Sequence, residues 1–369
     1  MNKNDQIFLR RSFLLPLFAL LILSSPAQSS DFNCNSLGLP DIELSSVSSA
    51  AWVNGQAVVT DPVGKQVVAL QIQNDRLASS RRIVTDNEKP YFGFAVGSGY
   101  TQVGRGFDLE WFDHGLRTLD RKSKGRLVRA REGNTGYRLL AMFDHATVAD
   151  RIVVYGVAED LSIGDPDPAR LDKYVYGFYE VGFQPPDGVT SGAELIQLHA
   201  EGPDHWYTYG HSYIAAVGNN VYFVVLDGYP ALYRYSRLEG GQADYVSGLP
   251  GEDEKLPVNV IPADRPNVAE LYQQIADAPD LPVGLYSKGP FLYSLHRNGE
   301  AGTWDFVQLR PGRHEVVEID RYTIRPPNGG SHLTLTPTPG FWLLFEKGDV
   351  APDGTQPLLS IQKCNFQGP

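Results

Sequence analysis

The sequence predicts an all-β protein built from repeated short antiparallel meanders. Apolar runs of roughly five to eight residues recur along the chain, and they are rich in Val, Ile, Tyr and Phe, which favour pleated strands over helices. Turn residues separate the runs, in keeping with the 37 Gly and 26 Pro of the chain. Units of roughly 50 residues repeat six times, which predicts a single β-propeller of six four-stranded blades.

The pattern is clearest in the middle of the chain. Two apolar runs, 211–217 and 220–226, are separated only by Gly218-Asn219, which predicts a tight hairpin. A turn at 227–230 then leads into a third short run. This stretch therefore predicts an antiparallel meander.

The other units show the same pattern. In chain order the six units lie at 49–84, 90–132, 137–200, 206–235, 283–324 and 331–364. The last unit is one strand short, and we predict that residues 42–49, near the N-terminus, supply its missing outer strand. Such a closure leaves no exposed sheet edge between the first and last blades. A pair of large β-sandwiches, which would show equally even turn signals, is the alternative fold.

One segment, 250–282, breaks the regular pattern. It is rich in Pro, Gly and charged residues, and within it residues 267–278 place apolar side chains at helical spacing between Asn267 and Pro279. We predict an insertion that forms a cap over one face of the ring.

The N-terminal residues 1–29 are predicted to be an export signal. Basic residues precede a short apolar run at 13–23, and small residues follow it. Residues 9–15, LRRSFLL, resemble the twin-arginine pattern, and an ordinary secretory signal is the alternative. The remainder, 30–369, is predicted to be one propeller domain that is periplasmic or secreted.

The chain has two cysteines, Cys34 and Cys364, at opposite ends of this domain. In an oxidising compartment they are expected to pair, which predicts a disulfide that closes the ring. Two buried, unpaired thiols are the alternative.

Charge and motifs narrow the classes of function. The formal net charge of −11 argues against nucleic acid or anionic lipid as a partner, and no segment beyond the signal predicts a membrane span. The basic run at 117–131 either binds an anionic polymer or forms a solvated outer strand. Neither a GxSxG elbow, nor an HExxH motif, nor a phosphate-binding glycine loop is present in the sequence.

The chain resembles the extracytoplasmic six-bladed propellers as a class, although it lacks the WD and kelch signatures of particular families. That resemblance implies that ligands meet the loops leading into the inner strands. Lactonases of this kind bind a central calcium through Glu, Asn and Asp oxygens, which makes Glu88, Asn134 and Asp204 the candidate calcium ligands. The alternative is that these side chains cap turns.

The loop from Glu201 to Tyr213, EGPDHWYTYGHSY, is the richest in titratable and aromatic groups. Such groups suit sugar stacking and general acid–base work, as in propeller polysaccharide lyases. The predicted ligand-binding residues are Asp204, His205, Trp206 and Tyr209. The predicted catalytic residues are His211, Tyr213 and His332, with His332 across the channel from His211. The competing interpretation is that His211 bonds to the backbone and the aromatic side chains belong to the blade core.

Together these patterns predict an exported propeller that binds a small polar ligand, carbohydrate or metal at the channel mouth, with hydrolase or lyase activity. The competing hypothesis is a non-catalytic interaction scaffold that uses its outer loops.

Overall fold

The computed structural model describes most of the predicted propeller domain. The described residues are 30–39, 41, 43–84, 90–96, 99–104, 109–112, 137–148, 151–160, 174–184, 188–189, 194–201, 205–206, 213–227, 229–240, 242–254, 261–262, 281–298, 302–349, 351 and 355–366. The predicted export signal, the basic run at 117–131 and the predicted helix at 267–278 lie outside them.

Short β-strands dominate the described residues, as the alternation of apolar runs and turns predicts. The first thirteen are β1 (Ser30–Gly38), β2 (Ser49–Val53), β3 (Gln56–Asp61), β4 (Gln66–Gln73), β5 (Arg76–Val84), β6 (Pro90–Val96), β7 (Gly99–Gly104), β8 (Leu109–Phe112), β9 (Tyr137–Val148), β10 (Arg151–Asp160), β11 (Tyr174–Gln184), β12 (Gly188–Val189) and β13 (Glu194–Glu201). The others are β14 (His205–Trp206), β15 (Tyr213–Val217), β16 (Asn220–Asp227), β17 (Tyr229–Ser236), β18 (Asp244–Val246), β19 (Ile261–Pro262), β20 (Pro282–Lys288), β21 (Phe291–Arg297), β22 (Trp304–Pro311), β23 (Val316–Ile324), β24 (His332–Pro337), β25 (Trp342–Lys347) and β26 (Leu358–Phe366). No helix among the described residues has the length and hydrophobicity that a bilayer crossing requires.

The strands form a β-propeller with four-stranded antiparallel blades, as predicted. Blade 1 is β2–β5, blade 2 is β9, β10, β11 and β13, blade 3 is β15–β18, blade 4 is β20–β23, and blade 5 is β24, β25, β26 and β1. The prediction of six such blades is wrong: the described residues form five, and the unit at 90–132 contributes a three-stranded sheet, β6–β8. The fourth strand predicted for that unit, near residues 125–132, lies outside the described residues.

Adjacent blades pack face to face through apolar side chains. Phe178 of blade 2 stacks on Phe223 of blade 3, with ring centroids 3.9 Å apart. Phe306 of blade 4 meets Trp342 of blade 5 edge-on at 5.0 Å. Burial of such large side chains is the main favourable term in folding, so these seams hold the ring together. The first strands of the blades contact one another in the order β9, β15, β20, β24 and β2, and they form the inner wall of the ring.

The N-terminal strand and the disulfide close the ring, which confirms that part of the fold prediction. Strand β1 pairs antiparallel with β26, and Cys34 lies directly opposite Cys364 in the ladder. The two cysteines form the disulfide, whose partners are 330 residues apart in sequence.

The closing strand is Ser30–Gly38, and the prediction of residues 42–49 for this role is wrong. Within 42–49, Leu44 and Val47 are buried in the seam between blades 5 and 1. The backbone N–H groups of Ser45 and Ser46 donate to the carboxylate of Asp61 at 2.9 and 3.1 Å. The segment is therefore a buried connection. Its apolar side chains fill the seam between blades 5 and 1, and the Asp61 carboxylate accepts the hydrogen bonds of its backbone N–H groups.

A buried carboxylate also fixes the loop at 328–332, which leads into the inner strand β24. Glu346 of β25 accepts from the backbone N–H groups of Asn328 and Gly330, each at 2.9 Å. It also accepts from the Asn328 amide at 3.0 Å and from Ser360 Oγ at 2.6 Å. Since a buried carboxylate is tolerated only when its acceptors are used, this network is structural.

Candidate functional site

The predicted site residues divide into those that the structure describes and those that it does not. His211, Asp204, Tyr209, Glu88 and Asn134 lie outside the described residues, so their roles stay predictions. No group of three or more His, Cys, Asp or Glu side chains that could hold a metal ion occurs among the described residues. The calcium prediction therefore rests on the sequence.

Backbone pairing links the predicted ligand loop to the predicted insertion. His205 and Trp206 form β14, and they pair antiparallel with Pro262 and Ile261 of β19. The segment at 250–282 is thus joined by hydrogen bonds to the loop that precedes β15. This pairing places part of the insertion beside the loop richest in polar and aromatic residues.

Tyr213, predicted as catalytic, opens the inner strand β15. Its side chain is half-buried and packs against the apolar seam between blades 3 and 4. Burial raises the pKa of its phenol well above the usual value, and the nearby Tyr286 and Asp144 raise it further. Tyr213 is therefore a protonated hydroxyl donor at physiological pH.

Asp144, on the inner strand β9, is a residue that the sequence prediction missed. Its Oδ2 accepts from the backbone N–H of Ile214 at 3.0 Å, and its Oδ1 accepts from the N–H of His145 at 2.8 Å. Burial raises the pKa of this carboxyl from 3.8 to about 7, although both hydrogen bonds act to lower it. Asp144 as a residue is half-buried, and since it lies between two inner strands we infer that its accessible part faces the channel.

Tyr286 completes the cluster from the next blade. It lies on β20, and its hydroxyl accepts from the backbone N–H of Leu335 of β24 at 3.4 Å. Burial is the main reason that its pKa is raised, and the charge of Asp144 also raises it. We define Asp144, Tyr213 and Tyr286 as the channel cluster. Three inner strands, from blades 2, 3 and 4, thus bring one carboxyl and two phenols together.

His145 lies next to the channel cluster. Burial lowers its pKa from 6.5 to about 4, so its imidazole is neutral near pH 7. The pair Asp144-His145 sits inside the otherwise apolar strand YRLLAMFDHATV. A carboxyl and an imidazole inside such a strand are the sequence signal that could have indicated this site.

His332 opens β24, as predicted, but it is not part of the channel cluster. Along β24 it precedes Leu335, the contact of Tyr286, by three residues, or roughly 10 Å. Its Nδ1 lies 2.8 Å from Ser331 Oγ. Burial is the main cause of its lowered pKa, and the neighbouring Lys347 ammonium contributes. Its opposition to His211 stays a prediction.

The channel cluster has the chemistry of a polar binding site. Phenols that stay protonated donate hydrogen bonds, and a carboxyl with a pKa near 7 either accepts or donates. Such a carboxyl also suits a general acid or base at neutral pH. The cluster has a structural role as well. Asp144 and Tyr286 each accept a hydrogen bond from the backbone of the neighbouring blade, and these two bonds join the inner strands of adjacent blades.

Comparison with known proteins finds solved structures of partial similarity and no matching family. No known family and no curated protein matches the sequence. Among solved structures, the chain is similar to a streptogramin B lyase, with 10% identity, a TM-score of 0.42, and coverage of 91% of this chain and 98% of the lyase. It is similar to the PQQ-bound aldose sugar dehydrogenase of Streptomyces coelicolor, with 11% identity, a TM-score of 0.44, and coverage of 92% and 100%. A subtype N10 neuraminidase-like protein from a little yellow-shouldered bat isolate has 12% identity, a TM-score of 0.45, and coverage of 91% and 98%.

Proposed function

We propose that this protein is an exported β-propeller that binds a small polar ligand in its central channel. The observation that carries the proposal is the convergence of Asp144, Tyr213 and Tyr286 from three inner strands. Two fixed donors and one carboxyl give a ligand with several hydroxyl groups a complementary set of partners. A carbohydrate is the ligand class that fits such a set best, and the aromatic loop at 201–213 adds surfaces for stacking.

Hydrolase or lyase activity is the catalytic form of this proposal. Asp144 would act as the general acid or base, because its pKa of about 7 lets it exchange a proton near neutral pH. His211 and the other residues of the loop at 201–213 would approach the ligand from the channel mouth. Calcium, held by Glu88, Asn134 and Asp204, would add an electrostatic contact to the ligand.

A ligand screen with matched variants tests the binding site. Purified protein is titrated with a panel of neutral mono- and oligosaccharides and sugar lactones, and binding is measured by calorimetry. Asp144→Asn, Tyr213→Phe and Tyr286→Phe should each weaken binding of a hit by about tenfold or more, the value of one or two lost hydrogen bonds. Tyr245→Phe, which alters a phenol that is 52% exposed on the outer strand β18, is the control and should bind normally. Normal binding by all three channel variants would overturn the site.

The two predicted catalytic histidines are tested in the same assay. His211→Ala and His332→Ala should each abolish binding or turnover while leaving the melting temperature nearly unchanged. If both variants bind normally, or if either unfolds, these histidines are structural or solvent-exposed residues.

One observation favours the scaffold function as the second candidate. Tyr245 of β18 and Val317 and Ile319 of β23 are apolar side chains with exposed fractions of 52%, 48% and 37%. They lie on the outer strands of blades 3 and 4. A β-bridge between Ser247 and Glu315 joins these two strands.

Photo-crosslinkers placed in cells at Val317 and at Tyr213 separate the two functions. Crosslinks to other proteins from Val317 alone would favour the scaffold.

Export is part of the proposal, and the disulfide supports it. Disulfides persist in oxidising compartments such as the periplasm and the extracellular space. Cell fractionation and N-terminal sequencing of the mature protein test this point.

Replacing Arg10 and Arg11 together by Lys tests the export route. The replacement should block export if the twin-arginine route is used, and it should leave export by an ordinary secretory route intact.

A further inference from the structure

A cleft of about 430 Å³ lies at the outer seam between blades 4 and 5. It exists because β1 changes partners there. Ser30 and Asp31 pair in parallel with β23, and from Phe32 onward the strand pairs antiparallel with β26. The strands β1 and β23 diverge after these residues, and the cleft lies between them.

The two sulfurs of the disulfide differ in their access to this cleft. Cys34 is half-buried and lines the cleft. Cys364 is fully buried, at 0% exposure, in the apolar seam with Trp342 and Leu344. A reagent that enters the cleft therefore contacts Cys34, whereas the blades cover Cys364.

The charge of the cleft differs from that of the whole molecule. Among the described residues that line it, Arg325 is the one that carries a charge, and its side chain is exposed. The net charge of the chain is −11, so a local cation distinguishes this cleft from an average surface. A guanidinium charge attracts small anions such as carboxylates and sulfonates.

We propose that Cys34 is a modification site at which small anionic thiols exchange with the disulfide. The thiolate of the small molecule attacks the Cys34 sulfur and forms a new S–S bond to it, while the bond between Cys34 and Cys364 breaks. The electron pair of the broken bond leaves on Cys364, which becomes a thiolate and takes a proton from solvent. The product is a mixed disulfide on Cys34 and a free thiol on Cys364, and no other oxidant or reductant is needed.

The consequence of this exchange concerns ring closure. Before exchange, a covalent bond joins the closing strand to the last strand of the chain. After exchange, the ladder between β1 and β26 holds the ring by hydrogen bonds and packing. A small thiol thus converts a covalent closure into a non-covalent one. Attack of the Cys364 thiolate on the Cys34 sulfur of the mixed disulfide releases the small thiol and restores the covalent closure.

The position of the adduct tests the proposal on the folded, full domain. The protein is treated briefly with 2-mercaptoethanesulfonate, quenched in acid, alkylated with N-ethylmaleimide and mapped by mass spectrometry. We expect the sulfonate adduct on Cys34 and the alkyl group on Cys364, with this arrangement about tenfold or more in excess. In urea the preference should disappear, because unfolding exposes both sulfurs. An adduct that is equally frequent on the two cysteines of the folded protein, or that favours Cys364, would overturn the proposal.

The choice of thiol tests the role of Arg325. The rate with anionic 2-mercaptoethanesulfonate is divided by the rate with cationic cysteamine, at low ionic strength. In Arg325→Gln this ratio should fall about two- to fivefold, the range expected for one exposed charge. Arg310→Gln removes the same charge from the opposite end of the outer strands of blade 4 and should leave the ratio nearly unchanged. If both variants behave alike, the cleft does not select anionic thiols and that part of the proposal is wrong.

Discussion

Asp144 Oδ2 accepts a hydrogen bond from the backbone N–H of Ile214 at 3.0 Å, across the boundary between blades 2 and 3. The two residues are 70 positions apart in sequence. Tyr286 makes an equivalent bond from blade 4 to the inner strand of blade 5. The side chains proposed to touch a ligand are therefore also the ones that join inner strands, and ligand binding should stabilise the ring.

The first prediction concerns the pH dependence of stability in Asp144→Asn. The Asp144 pKa is raised from 3.8 to about 7, so its contribution to stability is full below pH 4 and is lost as the pH rises through 7. The wild type should therefore gain stability relative to Asp144→Asn on going from pH 8 to pH 5. The expected change is about 2–3 kcal/mol. It corresponds to the two pH units between pH 7 and pH 5, over which Asp144 is protonated in the folded protein and ionised in the unfolded chain. Urea unfolding at the two pH values measures it.

His145 supplies the control, because its pH dependence has the opposite sign. Its pKa is lowered from 6.5 to about 4, so its contribution is full above pH 6.5 and is lost as the pH falls through 4. Relative to His145→Gln, the wild type should lose stability between pH 6.5 and pH 4. If the Asp144→Asn difference is the same at pH 5 and pH 8, the carboxyl does not titrate near neutrality.

The second prediction concerns the disulfide. Cys364→Ser should lower the free energy of unfolding, by up to about 5 kcal/mol in the chain-entropy estimate for so long a loop. The melting temperature in oxidising buffer should fall by several degrees. Reduced wild type should melt close to the variant, since both lack the same bond. An unchanged melting temperature would show that the ladder alone closes the ring.

The third prediction concerns the buried Glu346. Glu346→Ala should destabilise the protein by about 3 kcal/mol, because it leaves the donors of Asn328, Gly330 and Ser360 without their acceptor. Glu346→Gln should cost less, since its amide oxygen still accepts. Glu318→Ala, which removes a carboxylate that is 31% exposed, is the control and should change stability by less than about 1 kcal/mol. Equal losses for the two alanine variants would contradict the structural role of Glu346.

The fourth prediction concerns the insertion. Deleting residues 255–280 of the insertion, which removes β19, and joining the ends with a short Gly-Ser linker should leave the propeller folded but change ligand binding. The reason is that β19 pairs with β14 in the predicted ligand loop, whereas the blades are formed by other strands. Circular dichroism and calorimetric titration measure the two outcomes. Loss of the fold on deletion would make the segment part of the core.

Local patterns predicted much of the fold. The hairpin at Gly218-Asn219 lies between β15 and β16 as expected, because a two-residue corner between apolar runs permits few pairings. The cysteine pairing was also predictable, since two cysteines have one possible intramolecular bond. Tyr213 lies within the apolar run predicted at 211–217, and in the structure it opens the inner strand β15.

The closing strand was harder to predict. Ser30–Gly38 has the sequence SDFNCNSLG, which carries few apolar residues because an outer strand is largely solvated. The more apolar 42–49 was predicted in its place, and its apolar residues fill a seam between blades instead. The hydrophobicity of 42–49 thus predicted correctly that the segment is buried, but it led to the wrong prediction that the segment is the closing strand.

Local sequence patterns were sufficient to predict a ring of short antiparallel meanders whose ends are joined by a disulfide. The strands and turns depend on side-chain types within a few neighbouring positions. The disulfide depends on the cysteine count, because two cysteines permit a single bond. The tertiary structure decided the number of four-stranded blades, the closing strand and the channel cluster. Asp144 became part of a candidate site because an inner strand 70 residues away buries its carboxyl and donates to it. A pKa set by burial depends on what surrounds a group in space, and no local pattern in the sequence contains that information.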